Sequence, residues 1–149
     1  MKLLAITDAA GRVLEPEWLT RAEPLHRQLR PQLPADYGLT LYGIFADGAE
    51  MVLLVEESTQ RVLGLALFRC YRNTFNGIHF YVDDLVVDDS RRSQGYGKCL
   101  MDHLSSLALQ RGATVLTLDS GTHRGRAHAF YFREQFEIRC FNFEKKLQP

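Results

Sequence analysis

Asp83-Asp84-Leu85-Val86-Val87-Asp88-Asp89-Ser90-Arg91-Arg92-Ser93-Gln94-Gly95-Tyr96-Gly97-Lys98 is the stretch whose reading decides the fold. An apolar strand runs into a basic, glycine-containing turn, and the turn opens a helix. Backbone N–H groups left unpaired at a helix N-terminus, together with the helix dipole, favour an anion at that point. Gly95 and Gly97 lack a Cβ, so a phosphate can come close to their backbone. Arg91, Arg92 and Lys98 add positive charge beside them. The stretch reads as a pyrophosphate cradle.

Two common phosphate loops are excluded by spacing. A nucleoside-triphosphate loop needs glycine five residues before Gly97, where Arg92 stands, and a hydroxyl residue after Lys98, where Cys99 stands. A dinucleotide fingerprint needs a third glycine where Leu100 stands. The remaining pattern, Arg92-x-x-Gly95-x-Gly97, resembles the [QR]-x-x-G-x-[GA] signature of the GNAT acetyltransferases, in which this turn holds the pyrophosphate of coenzyme A. Taken alone, the same pattern also describes a plain glycine-bearing strand-to-helix turn.

Length and composition set the frame. A chain of 149 residues suits a single domain, 1–149, with a sizeable core. Its 18 basic and 18 acidic residues cancel, so the global field that nucleic-acid and membrane binders often carry is missing. Neither partner is expected. Cys70, Cys99 and Cys140 lie far apart in apolar runs, which argues for reduced thiols in a cytoplasm and against a disulfide framework. No apolar run approaches about 20 residues, the length of a membrane span. Met1 to Thr7 lacks the layout of a signal peptide and reads as an edge strand.

Pro16 opens a helical pattern to Leu29, with Trp18, Leu19, Leu25 and Leu29 near one face, and Pro24 is expected to kink or split it. Tyr37 to Phe45 is balanced between a short helix and an aromatic loop, its aromatic residues read as packing. Met51–Glu56 and Arg61–Tyr71 form a hairpin pattern, followed by a long strand, Ile78–Val87. Gly95–Arg111 is an amphipathic helix stopped by Gly112. Thr114–Leu118 reads as a buried strand, Arg124–Glu134 as a helix with Ala127, Phe130 and Tyr131 on its apolar face, and Phe136–Leu147 as a closing strand.

That order is again the GNAT order. Ala127-His128-Ala129-Phe130-Tyr131 followed by Phe136 resembles the family's late A-x-x-F-Y-x-x-x-G-F motif, and residues 81 to 87 resemble the strand before its cradle, where an acidic pair is common. Gln135 stands where the family usually has glycine, and Arg124 where asparagine is frequent. The expected fold is α/β with a mixed, mostly antiparallel twisted sheet flanked by helices.

The resemblance implies acetyl-CoA as acyl donor and direct attack of a primary amine on the thioester. It places the pyrophosphate on Arg92, Ser93, Gln94, Gly95, Tyr96, Gly97 and Lys98. The pantetheine arm then pairs with backbone groups of Leu85, Val86 and Val87 as an added strand, where the family's strand usually carries a bulge. Tyr131 is the candidate proton donor to the leaving thiolate, against a plain packing role beside Phe130. Asp83 and Asp84 are the candidate bases for an amine whose pKa is ~10.4. Strand alternation lets only one of them face the substrate side, and a salt-bridged acidic pair or proton loss through water are the competing readings. His103 and His128 read as structural, the latter with a supporting role beside Tyr131 left open. No metal-ligand spacing is present. A small-molecule amine is the expected acceptor. A protein N-terminus or lysine, a non-catalytic acyl-CoA-binding module and a homodimer stay open as alternatives.

Overall fold

The computed structural model describes residues 1–147, and the chain divides into two compact units, Met1–Thr117 and Leu118–Pro149. The first holds β1 (Lys2–Ala5), α1 (Pro16–Leu29), α2 (Tyr37–Ala46), β2 (Ala49–Glu56), β3 (Arg61–Asn73), β4 (Gly77–Val87) and α3 (Tyr96–Gln110). β5 (Val115–Leu118) crosses the boundary, and α4 (Gly125–Arg133) belongs to the second unit. The sheet order is β1-β2-β3-β4-β5, with antiparallel pairing through the first four strands. Among the described residues no helix is long and apolar enough to cross a membrane.

One face of the sheet carries α1 and α2. Its core joins Leu19, Ala22 and Leu25 of α1 and Tyr37, Leu41 and Phe45 of α2 to Ala49, Met51 and Leu53 of β2, Leu65 and Leu67 of β3, and Val86 of β4. The other face carries α3, whose Leu100, Met101 and Leu104 are fully buried. Arg111, at the end of α3, lies over the Phe68 ring and forms a bidentate pair with buried Glu50 of β2.

Local chemistry explains departures from the expected elements. α1 runs unbroken through Pro24, because a proline removes one helical hydrogen bond while the buried Leu19, Ala22, Leu25 and His26 hold the helix to the sheet. Tyr37–Ala46 is a helix, started by Asp36, whose carboxylate accepts from the Leu39 N–H at 2.8 Å. β5 is not the buried strand expected, since Val115 is exposed and the rest half-buried. Residues 136–147 form no strand. Phe141 and Phe143 stand 86% and 93% exposed, and without a ladder partner an alternating pattern does not make a strand.

Two bulges shape the sheet. Leu54 faces Gly64 and Val55 faces Val62, which leaves Leu63 as the extra residue of β3. Phe68 faces Val82 and Leu67 faces Asp84, which leaves Asp83 as the extra residue of β4. Gly64 sits directly beneath α3. A Cβ there would come within 2.8 Å of Leu100 Cδ1 and 3.2 Å of the Val86 carbonyl oxygen. Gly64→Ala is therefore expected to destabilise the fold by about 1–3 kcal/mol through overpacking, seen as a lower urea midpoint at unchanged m. An unchanged midpoint would show that α3 yields freely to the added methyl.

Candidate active site

The cradle begins where β4 ends. Asp88 N–H donates to the Leu63 carbonyl at 3.0 Å, so the bulged residue of β3 anchors the exit of β4. Burial works against the charge of Asp88. Hydrogen bonds from the Ser90 hydroxyl and N–H and from Arg61 Nη2 nevertheless hold its carboxyl below the usual range. Asp89 N–H donates to Gln28 Oε1 of α1 at 3.0 Å. A single 3-10 turn, Asp89–Arg91, leads to Ser93 at φ +64° and Gly95 at φ +83°, the N-cap of α3. The left-handed conformation at Gly95 suits glycine and turns the chain into the helix. A Cβ on Gly95 would meet nothing within 4 Å, so the cap opens onto free space.

The first helical bond of α3 runs from Cys99 N–H to the Gly95 carbonyl, so the amides of Tyr96, Gly97 and Lys98 precede the intrahelical ladder. The Arg92 guanidinium rests against Asp89, and Lys98 Nζ lies 2.7 Å from Asp102. Tyr96 O–H donates to the Gln94 side chain at 2.9 Å. This turn has the donors, the charge and the room that a pyrophosphate requires.

The bulge in β4 changes the reading of the acidic pair. Before it, Phe80 stacks on Phe68 on the α3 side of the sheet. After it, Asp84 and Val86 lie on the α1 side. Alternation is broken at the extra residue, and both carboxylates reach groups on the α1 and α2 side. Asp84 Oδ2 accepts from His26 Nε2 at 2.8 Å, and Oδ1 accepts from Arg30 Nε at 2.8 Å and Nη2 at 2.6 Å. Asp83 Oδ2 accepts from Arg69 Nε at 2.9 Å.

Their environments push the two acids apart. Burial raises Asp84, but the hydrogen bonds of His26 and Arg30 outweigh it and hold the carboxyl below its ordinary range. Burial also raises Asp83, and there the single Arg69 contact does not cancel it, so this carboxyl sits above its ordinary range. A cavity of about 430 Å³ opens at Asp83, walled by Arg69, Tyr71, Tyr81 and Asp47. A second hollow of about 480 Å³ is lined by Arg21, Gln28, Gln60 and Arg61. Asp88 also lines it, and the charged groups there already have partners, Arg61 with Asp88 and Arg21 over the Trp18 ring.

In the second unit, Tyr131 is half-buried between Phe130 and Phe136, at centroid distances of 5.4 and 5.7 Å. The helix is closed by Phe136 N–H donating to the Tyr131 carbonyl at 2.9 Å, with Gln135 at φ +65°. The family's glycine position thus keeps a left-handed backbone although a glutamine fills it. His128 Nε2 donates to the Gly121 carbonyl at 3.0 Å, a structural bond within this unit. In the first unit, His79 Nδ1 accepts from Asn73 and Asn76 amides while Nε2 meets Thr117 Oγ1. Among the described residues no group of three His, Cys, Asp or Glu side chains is placed to hold a metal.

Sequence reasoning missed His26, Arg30 and Arg69. His26, 1% exposed, is the buried histidine of the chain and lies one helical turn after Ala22 on the apolar stripe of α1. That spacing was the available signal.

A sequence profile of the acetyltransferase (GNAT) family matches residues 15–136. The uncharacterized N-acetyltransferase YhdJ of Bacillus subtilis (strain 168) is 33% identical over 132 residues, covering 87% of this chain and 91% of that protein. A Trypanosoma brucei acetyltransferase superposes with a TM-score of 0.75 at 25% identity, covering 98% of this chain and all of its own. The aminoglycoside N-acetyltransferase AAC(6')-Iy, crystallised with CoA, superposes at 0.78 and 16% identity, with 98% and 95% covered.

Asp84 also sets a pH dependence. Its folded pKa lies below its unfolded value, ~3.9, so its contribution is present above that value and lost as pH falls through the folded pKa. Asp84→Asn is expected to cost about 1–3 kcal/mol at pH 7, with the gap to the parent narrowing below pH ~4. Urea midpoints from pH 3 to 7 check this, and parallel curves would contradict it.

Proposed function

This chain belongs to the acetyltransferase (GNAT) family and is an N-acetyltransferase that uses acetyl-CoA as cosubstrate, and we propose that its acceptor is a small molecule bearing a primary amine. The observation that carries the acceptor reading is the small cavity beside the β4 bulge, into which Asp83 brings a carboxylate and to which Asp47 adds a second acid. The two acids stand against one guanidinium, that of Arg69, and the excess negative charge in such a recess attracts an ammonium ion. AAC(6')-Iy, a neighbour in fold, is an aminoglycoside N-acetyltransferase, and aminoglycosides are small-molecule amines.

The cradle residues Arg92, Ser93, Gln94, Gly95, Tyr96, Gly97 and Lys98 would hold the pyrophosphate, and the free space over the Gly95 cap fits it. Leu85, Val86 and Val87 pair through one edge with Ala66, Leu65 and Gly64 of β3. At these three residues the other edge of β4, the side on which β5 lies in the sheet order, would take the pantetheine arm. Acetyl-CoA supplies, when bound, an acyl group activated as a thioester.

Within the chain, Asp83 takes the proton that an ammonium must lose. A carboxylate raised by burial is a stronger base than an ordinary one. Asp84, buried and bonded to both His26 and Arg30, serves the geometry instead. The Tyr131 hydroxyl is assigned the return proton for the departing thiolate.

Acetyl-CoA at 100 times its Kd is expected to stabilise the parent by ~2.7 kcal/mol, and Gly97→Val to remove that effect by filling the phosphate's approach while the domain stays folded. Thermal shift against adenosine alone measures both. No shift in the parent would contradict the cradle assignment. Thiol release from acetyl-CoA across a panel of small amines and peptides identifies the acceptor, and turnover of peptides alone would contradict the small-molecule reading.

Tyr131→Phe is expected to lower turnover by ~10²–10⁴ with acetyl-CoA affinity unchanged. Asp83→Asn should flatten the rise of rate with pH, because the basic form of Asp83 accumulates as pH climbs through its raised pKa. Parent-like rates in both variants would remove these two roles.

A further inference from the structure

A buried polar chain runs from α2 through α1 to β4. Asp84 is held ionised, so it can only accept hydrogen bonds. His26 Nε2 must therefore carry a proton toward it, across 2.8 Å. In the neutral ring Nδ1 then accepts, and the donor is the Tyr37 hydroxyl at 2.9 Å. Burial raises the Tyr37 pKa further, which keeps the phenol protonated as this tautomer requires. The other side of Asp84 binds Arg30, and Arg30 Nη2 continues to the Asp83 carbonyl at 3.4 Å. That carbonyl belongs to the residue without a ladder partner.

Stability does not account for such a chain. A buried ion pair with its hydrogen bonds is often replaceable by apolar side chains of similar volume at no loss. A network with every member satisfied does, however, fix one geometry. The geometry fixed here is the bulge that carries Asp83 into its cavity. We propose that Tyr37, His26, Asp84 and Arg30 form a positioning relay that holds the β4 bulge, and through it the Asp83 carboxylate, in place for acetyl transfer. The catalytic part of this inference rests on the proposed function, and the structural part does not.

The test compares His26→Leu, Tyr37→Phe and His26→Gln by amide hydrogen exchange and by turnover of an amine the parent accepts. The first two are expected to raise exchange at residues 82–85 about tenfold, with β2–β3 partners such as Val52 and Ala66 left near parent values. Saturated turnover should fall about 10-fold to 100-fold, as displaced catalytic groups typically cause, with acetyl-CoA affinity kept. His26→Gln retains an amide donor toward Asp84 and should recover most of both. Exchange rising evenly over the sheet, or turnover at the parent rate despite local opening, overturns the relay. If His26→Leu does not fold, Tyr37→Phe, which removes one oxygen, decides between these outcomes. If the parent acetylates no amine, the proposed function fails, and the exchange pattern still decides whether the relay holds the bulge.

Discussion

A carboxylate removed from water stays ionised only if donors replace the water, and Asp84, 8% exposed, is the place where this fold meets that demand. His26 of α1 and Arg30, the residue that caps its end, supply the donors, and Tyr37 of α2 fixes the histidine's tautomer. Two helices far from β4 in sequence are thus tied to one of its residues. Hydrophobic packing alone would let α1 slide along the sheet at little cost, since dispersion is not directional. A shared carboxylate does not permit that. Gln28, two residues after His26, makes the neighbouring tie to the cradle through the Asp89 amide, so the same helix positions both ends of the site.

The bulge at Asp83 separates the acidic pair into different tasks. In a regular strand the two side chains would point to opposite faces. One extra residue brings both toward the face that carries α1 and α2, one into a cavity and one into a buried network. Burial raises both, but Asp84 has two cationic or polar partners that reverse the effect and Asp83 has one that does not. Two identical residues in adjacent positions acquire opposite acidities from their surroundings alone.

The cradle is built on a different principle. Arg92 and Lys98 rest on Asp89 and Asp102 through exposed pairs of the i,i+3 and i,i+4 kind. Such pairs contribute about 0.2–1 kcal/mol, so little would be lost if a phosphate with stronger charge-assisted bonds replaced the carboxylates. The permanent part of the site is the backbone, with Gly95 and Ser93 in left-handed conformations leading into the first turn of α3.

What the sequence determined by itself was local or motif-borne. The cradle spacing around Gly95 and Gly97, the apolar stripe of α3, the hairpin of β2 and β3 and the family resemblance all depend on residues near one another in the chain, where period and turn chemistry act directly. Tertiary structure decided the rest. It kept α1 whole across Pro24 because buried neighbours outweigh one lost hydrogen bond. It left residues 136–147 without a ladder, since alternation is only an offer of pairing and a strand needs a partner. It put His26, Arg30 and Tyr37 around Asp84, across 58, 54 and 47 positions of sequence (84 minus 26, 30 and 37), distances no local period spans. It also put the bulge at Asp83, which follows from the register of β3 against β4 and so belongs to the pair of strands, not to either one alone.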